Sequence, residues 1–416
     1  QALFYPLQGP VEWAARLPNF FASILLIPLV GRVGLYLTKG NQNRALLAAA
    51  IVSFSPLAIQ FSPTAFTDPL LTFFVTMALW CAVRPRTHPS IKTSSGLWLG
   101  IALLVKYQAI LFLPLIWLFE WHHLKDRHLN RLPIKEAGRW LIHFSACLAL
   151  LFIWDMLSGG GIDLVSQQTS AYGGFGLISA SAFLPRIWAW AKLLVFVLGW
   201  TFTLIAVIGL IFVIEQNHDF KFGRALGLLS FSLFYVLLHV GIQSLLEPRY
   251  ALPLVPILAL GLVSLPLHRP IRYLDPAYSR IAVVVLSIIL LGQASMARVG
   301  QYPIGGRPQN DDGAAAIAQM LLEEPYGTVL YDHWYSWHWR YHFFHKGVYV
   351  EWFDEPGELV ENLQAFYDPA ASEKRFLALR EDDSFANQIE TELEAEGYRL
   401  ELVATEGRIE LYVISN

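Results

Sequence analysis

The sequence predicts a polytopic α-helical membrane protein with a C-terminal extracytoplasmic α/β domain. Three observations carry this expectation. The chain has 416 residues, 55% hydrophobic and only 15% charged, whereas soluble globular chains carry about 25% charged residues. Its charge is divided. Residues 1–297 hold far more Lys and Arg than Asp and Glu, and residues 298–416 reverse that balance, so a net charge of -3 conceals a basic apolar body and an acidic tail. The body also repeats apolar runs long enough to cross a hydrocarbon core of roughly 30 Å as helices.

Taken in order, the runs fall at 17–37, 45–61, 66–83, 139–157, 187–213, 226–245, 250–266 and 280–297. Basic residues gather on alternate loops: Lys39 and Arg44; Arg84, Arg86 and Lys92; Lys125 to Arg139; Lys221 and Arg224; Arg269, Arg272 and Arg280. By the positive-inside rule these loops are cytoplasmic. The opposite loops, including Ser62 to Thr67, are poor in charge, which puts Asp68 and the acidic tail outside. The run from Gly96 to Phe119 is basic on both flanks. A re-entrant hairpin turning near Lys106-Tyr107-Gln108 keeps both flanks inside, and each arm, rising roughly 25 Å as helix, carries Lys106 towards the side of Asp68. Irregular backbone at that depth must face protein or a wet cavity.

The tail reads as α/β. A helical period runs from Gly313 to Glu324, and strand patterns fall at Thr328 to Tyr331, Val348 to Trp352, Arg375 to Leu379, Arg399 to Ala404 and Arg408 to Ile414. The boundary is expected at 297/298. Cys81 and Cys147 lie in apolar runs and form no disulfide framework or zinc spacing. The opening, Gln1 to Arg16, reads as the end of a loop.

Ionisable residues inside apolar runs mark functional cavities by default. Asp68 is the only charge between Ala45 and Val83. It could act as a base, take a divalent metal or orient an acceptor; equally, Thr67-Asp68-Pro69 suits a helix N-terminus, with Asp68 as the cap. Lys106, central in its run, could neutralise a phosphate or snorkel to the interface. Glu247-Pro248-Arg249-Tyr250 offers a guanidinium fork for phosphate and a ring for a sugar or headgroup, and it also fits an interfacial belt anchor. Asp155 and Asp163 flank Ser158-Gly159-Gly160-Gly161, where Asp155 could line the cavity. His338, His342 and His345 would share a helix face and could bind a metal; the alternative is an aromatic helix packed on a sheet.

The order of these features resembles a known family. It comprises Ala15-Arg16-Leu17-Pro18 leading a span that ends Val30-Gly31-Arg32, then Ser55-Pro56, Asp68, Gly96-x-x-x-Gly100 to Lys106, and Arg249-Tyr250-x-x-Pro253-x-x-Pro256. Together these are similar to the polyprenyl-phosphate-sugar-dependent glycosyltransferases of the GT-C fold, the protein-mannosyltransferase-like and aminoarabinose-transferase-like group. The resemblance covers most of residues 12 to 297. It implies a polyprenyl-phosphate sugar as donor, transfer at the extracytoplasmic face of the cell (plasma or inner) membrane, and a protein, lipid or glycan as acceptor. Asp68 would then be the second acidic position, Lys106 the lysine near the donor phosphate, and Arg249 with Tyr250 a donor-side pair, with Asp155 and Glu247 as cavity residues. The family's main carboxylate follows a first span, expected upstream of Gln1. No cofactor is demanded, a divalent metal is compatible, and nothing points to nucleic acid. A lipid-linked-glycan flippase or transporter, or a glycan ligase or polymerase, would use similar cavity charges.

Overall fold

In the computed structural model the described residues are 12–84, 95–125, 134–157, 176–216, 223–243, 246–265, 276–306, 311–365, 374–383 and 385–415. The chain divides into two compact units: Arg16–Pro308, and Gln309–Asn416 together with Gln1–Ala15.

The first unit is helical. Its helices are α1 (Glu12–Leu37), α2 (Gln42–Ser53), α3 (Pro56–Phe61), α4 (Asp68–Val83), α5 (Ser95–Val105), α6 (Leu113–Lys125), α7 (Ile134–Leu157), α8 (Ala180–Leu198), α9 (Trp200–Gln216), α10 (Gly223–Gly241), α11 (Leu254–Ser264) and α12 (Pro276–Arg298). Short 3-10 turns at Tyr107–Phe112 and Pro248–Ala251 precede α6 and α11. Four helices among the described residues are long and apolar enough to cross a membrane: Trp13–Leu37, Ala137–Trp154, Ala180–Leu198 and Gly223–Gly241. Ile142, Trp154, Leu184, Leu204, Val283 and Ile288 stand exposed on the unit. Water disfavours so large an apolar surface, and hydrocarbon does not.

Two expected spans are broken. The run 45–61 becomes α2 and α3, because Ser55 starts a new helix: its Oγ accepts the Ala58 amide at 3.2 Å and donates to the Val197 carbonyl at 2.6 Å. The run 187–213 becomes α8 and α9, parted at Gly199, whose φ of +80° leaves the helical region.

The hairpin expected between Gly96 and Phe119 is present. Its base closes where Ser95 Oγ donates to Glu120 at 2.6 Å while accepting from Trp140 Nε1 at 2.9 Å. Its tip is Lys106, one residue of extended backbone between α5 and the 3-10 turn. The Gly96-x-x-x-Gly100 spacing serves packing. A Cβ at Gly96 would lie 2.6 Å from the Trp140 carbonyl oxygen, and one at Gly100 would lie 2.7 Å from Cys147 Cβ. Small residues at that stripe let α5 and α7 approach closely.

The second unit is a three-layer α/β fold. It contains α13 (Ala314–Leu321), β1 (Thr328–Asp332), α14 (Ser336–His342), β2 (Val348–Trp352), α15 (Pro356–Ala365), β3 (Arg375–Arg380), α16 (Ala386–Ala395), β4 (Arg399–Glu406) and β5 (Ile409–Ser415). The sheet order is β2-β1-β3-β5-β4. β1 is parallel to β2 and β3, and β5 runs antiparallel to β3 and β4. Alternation along the strands supplies two cores. Leu330, Phe376 and Ala378 meet α13 and α14 on one face, while Tyr331, Leu377 and Leu379 meet α15 and α16 on the other. All five expected strands are present.

The histidine-rich segment is an aromatic helix. Trp339 of α14 is fully buried, and its ring stacks at 6.2 Å on Phe343. Asp332 holds the turn into this helix, accepting the Tyr335 amide at 2.7 Å. No group of three or more His, Cys, Asp or Glu able to hold a metal occurs among the described residues, so the His338, His342, His345 set is corrected to the packing alternative.

Candidate donor-phosphate site

Asp68, Lys106, Arg249 and Tyr250, far apart in sequence, meet at one end of the helical unit. The loop before Asp68 is held by Asn19, whose Nδ2 donates to the carbonyls of Thr64 at 2.7 Å and Phe66 at 2.6 Å. This fixes where α4 begins. Thr67 occupies the cap position and Asp68 is the first helical residue, with Pro69 following. The Asp68 carboxylate therefore does not serve as the helix cap. It accepts from Lys106 Nζ at 2.7 Å, with 2% of its side chain exposed against 15% for Lys106.

Lys106 reaches Asp68 because the hairpin tip presents it there. Its Nζ also lies 4.7 Å from the centroid of the Tyr250 ring. An ammonium has three N–H donors. One is committed to Asp68 and one direction is covered by the π face, an attraction of about 0.5–2 kcal/mol. The remaining N–H direction is left for a further acceptor.

Arg249 and Tyr250 sit on the 3-10 turn Pro248–Ala251, closed by Tyr250 N donating to the Glu247 carbonyl at 3.0 Å. The Arg249 guanidinium carbon lies 4.3 Å above the Phe66 ring and 5.7 Å from the Tyr250 ring. Its Nε is buried and makes no hydrogen bond among the described residues. Glu247, half-buried at the start of the turn, acts electrostatically on both Arg249 and Lys106. Two cations thus face two carboxylates, with one guanidinium donor unsatisfied. Asp155 lies near the end of α7, but its side chain falls outside the described residues, as do Asp163 and Ser158 to Gly161.

A supporting layer lies behind Tyr250 that the sequence reading passed over. Tyr235 Oη donates to the Tyr250 carbonyl at 2.8 Å. His239 packs against Tyr235 with centroids 4.2 Å apart and the rings tilted by 33°, and its Nδ1 lies 2.9 Å from the Tyr235 carbonyl. Arg186 Nη2 donates to the His239 carbonyl at 2.9 Å. A signal existed: His239 stands in an apolar run without a charged residue from Ala225 to Leu246, and Asn19 interrupts another.

Comparison with known proteins gives a consistent result. Residues 1–154 match the model of the family described as dolichyl-phosphate-mannose-protein mannosyltransferase. No curated protein matches the sequence. Two solved structures of ArnT from Cupriavidus metallidurans are similar. The form bound to undecaprenyl phosphate has a TM-score of 0.58 and 16% identity, over 98% of this chain and 85% of that one. The apo form has a TM-score of 0.59 and 15% identity over the same shares. The likeness shows that this chain has an ArnT-like fold.

Proposed function

We propose that this chain transfers a sugar from a polyprenyl-phosphate donor to an acceptor at the extracytoplasmic face of the cell membrane, and that Lys106 and Arg249 receive the donor phosphate. The observation that carries the assignment is the pairing of two inward cations with Asp68 and Tyr250, Arg249 keeping a buried Nε without a hydrogen bond. Sugar transfer breaks the bond between the anomeric carbon and the phosphate oxygen as the acceptor attacks. Negative charge gathers on the departing polyprenyl phosphate, and fixed donors aimed at that charge lower the barrier. Lys106 and Arg249 supply such donors, and a guanidinium can grip phosphate through two N–H groups.

Asp68 is assigned to holding and neutralising Lys106 through Oδ1, and its second carboxylate oxygen to orienting the acceptor hydroxyl. Tyr250 shapes the ammonium's surroundings, and Glu247 balances Arg249. In this reading residues 1–297 form the membrane transferase module and residues 298–416 an outer domain. The acceptor is a protein, lipid or glycan.

The test is binding of undecaprenyl phosphate to detergent-solubilised protein by calorimetry, alongside transfer from a polyprenyl-phosphate sugar. Losing a charge-assisted contact of about 1.5–3 kcal/mol weakens binding by roughly ten- to a hundredfold in Lys106→Ala and in Arg249→Ala. Unaltered affinity in both variants overturns the phosphate assignment. Movement of the lipid across vesicles without release of polyprenyl phosphate replaces the enzyme by a transporter.

A further inference from the structure

The α/β unit holds a second constellation, independent of the transferase reading. The chain leaves β1 through α14 to reach β2 on one side, then returns through α15 to β3 on the other side of β1. The carboxyl ends of β1 and β3 therefore flank a topological switch point, the place where open α/β sheets bind ligands. Two loops meet there. The first continues β1 as His333 and Trp334, and the second continues β3 from Arg380 to Asp383.

The loops are pinned together from beneath. His333 Nε2 is hydrogen-bonded to Asp383, with 8% and 4% of their side chains exposed. The imidazole stacks on Phe353 at 5.2 Å and meets the edge of Phe385 at 5.7 Å. Above this buried pair the chemistry changes. Trp334 is 58% exposed, an unusual amount for so large a ring. The Arg380 guanidinium carbon lies 4.9 Å from its centroid. Asp382 is ion-paired with Arg380, whose Nε lies 2.7 Å away without hydrogen-bond alignment, and accepts a hydrogen bond from Arg408 Nη2 at 2.7 Å. At the carboxyl end of the neighbouring strand β2, Trp352 is also partly exposed at 38%.

We propose that the surface at the carboxyl ends of β1 and β3 binds a neutral saccharide ring, stacked on Trp334 and hydrogen-bonded by the Arg380–Asp382–Arg408 cluster. The charges select the ligand class. Both guanidinium groups are engaged by Asp382, and Asp383 is taken by His333. An anion would have to take both guanidinium groups from Asp382, and a cation would have to take Asp382 from both. A wholly apolar ligand would strip water from the ion pairs with nothing in return. A sugar offers C–H groups to the aromatic face and hydroxyls to the remaining N–H groups and lone pairs, without breaking any pair. The His333–Asp383 contact keeps the two loops in place before the ligand arrives, which lessens the ordering that binding requires.

The experiment is saturation-transfer NMR on the full chain in nanodiscs, with methyl α-D-mannopyranoside, methyl β-D-glucopyranoside and methyl β-L-arabinopyranoside as probes and inorganic phosphate as competitor. At least one glycoside is expected to show transfer, with affinity falling roughly tenfold in Trp334→Ala, as expected for loss of an aromatic contact. Trp334→Phe should recover part of it, and Asp382→Asn should weaken it without changing thermal stability by much, both side chains being exposed. Signal retained in Lys106→Ala separates this site from the donor-phosphate site. The proposal is overturned if no glycoside shows transfer, if Trp334→Ala and Asp382→Asn both leave the signal unchanged, if Lys106→Ala abolishes it, or if phosphate displaces the sugar.

Discussion

Replacing Asp68 by Asn keeps the side chain's shape and removes its charge, leaving the Lys106 ammonium without its partner. With Nζ and Oδ1 2.7 Å apart, the Coulomb attraction at an effective dielectric near 20 is about 6 kcal/mol before desolvation is subtracted. Both groups lose water in the folded state, so the net value of the pair is smaller. Removing one partner of a buried pair nonetheless costs about 3–5 kcal/mol, because the other charge stays behind uncompensated. Lys106→Met should be similarly harmful, since it strands Asp68. The double variant Asp68→Asn/Lys106→Met removes both charges and should recover about half of the summed loss, a coupling of about 3–5 kcal/mol by the same reasoning. The assay is a double-mutant cycle on reversible unfolding in mixed detergent micelles, followed by circular dichroism, with undecaprenyl phosphate binding measured on each protein. Losses that add to within about 0.5 kcal/mol would refute the pairing and return Asp68 to an independent role. Asp68→Asn should also weaken lipid-phosphate binding, because an unpartnered buried amine is driven towards its neutral form. Unchanged binding would show that Lys106 needs no counter-ion to stay charged.

Two further outcomes follow from the supporting contacts. Tyr235→Phe deletes only the hydroxyl that holds the Tyr250 carbonyl; a loss of about 0.5–1.5 kcal/mol in stability should accompany weaker undecaprenyl phosphate binding, and full affinity would show that the 3-10 turn holds itself. Burial pushes the Asp332 carboxyl above its usual range, against the opposing pull of the Tyr335 amide. The folded form therefore retains its proton to higher pH than the unfolded chain does. Stability from this group is fully present below the unfolded value, near 3.9, and declines as pH rises towards the raised folded value. Measured against Asp332→Asn, which does not titrate, the wild type should lose ground across that window and then level off; a difference independent of pH would refute it.

Much of the site was legible because charge inside an apolar run is physically anomalous. Asp68 and Lys106 stood out by that test alone, Arg249 by its place in Glu247-Pro248-Arg249-Tyr250 at the opening of a span, and the basic flanks of Gly96 to Phe119 led to a hairpin with Lys106 at its tip. The five strands of the α/β unit were legible for a related reason: alternating or continuous β-branched and aromatic residues between turn formers have few other uses. Less legible were the breaks at Ser55 and Gly199. Hydropathy registers apolar length and is blind to a serine that finds a carbonyl on another helix, or to a glycine turned out of the helical region.

The sequence by itself determined which groups are costly to bury, and so which residues had to find partners. Only the tertiary structure decided who the partners are. Thr67-Asp68-Pro69 is compatible with a cap or a cavity carboxylate, and the choice fell to Lys106, 38 positions away. Tyr235 and Asn19 acquired their roles through carbonyls of more distant segments, and His333 found Asp383 50 positions on. Local propensity is set by near neighbours along the chain. A buried charge or polar group is satisfied by whichever atom the packed fold brings within about 3 Å, and that choice is made in three dimensions.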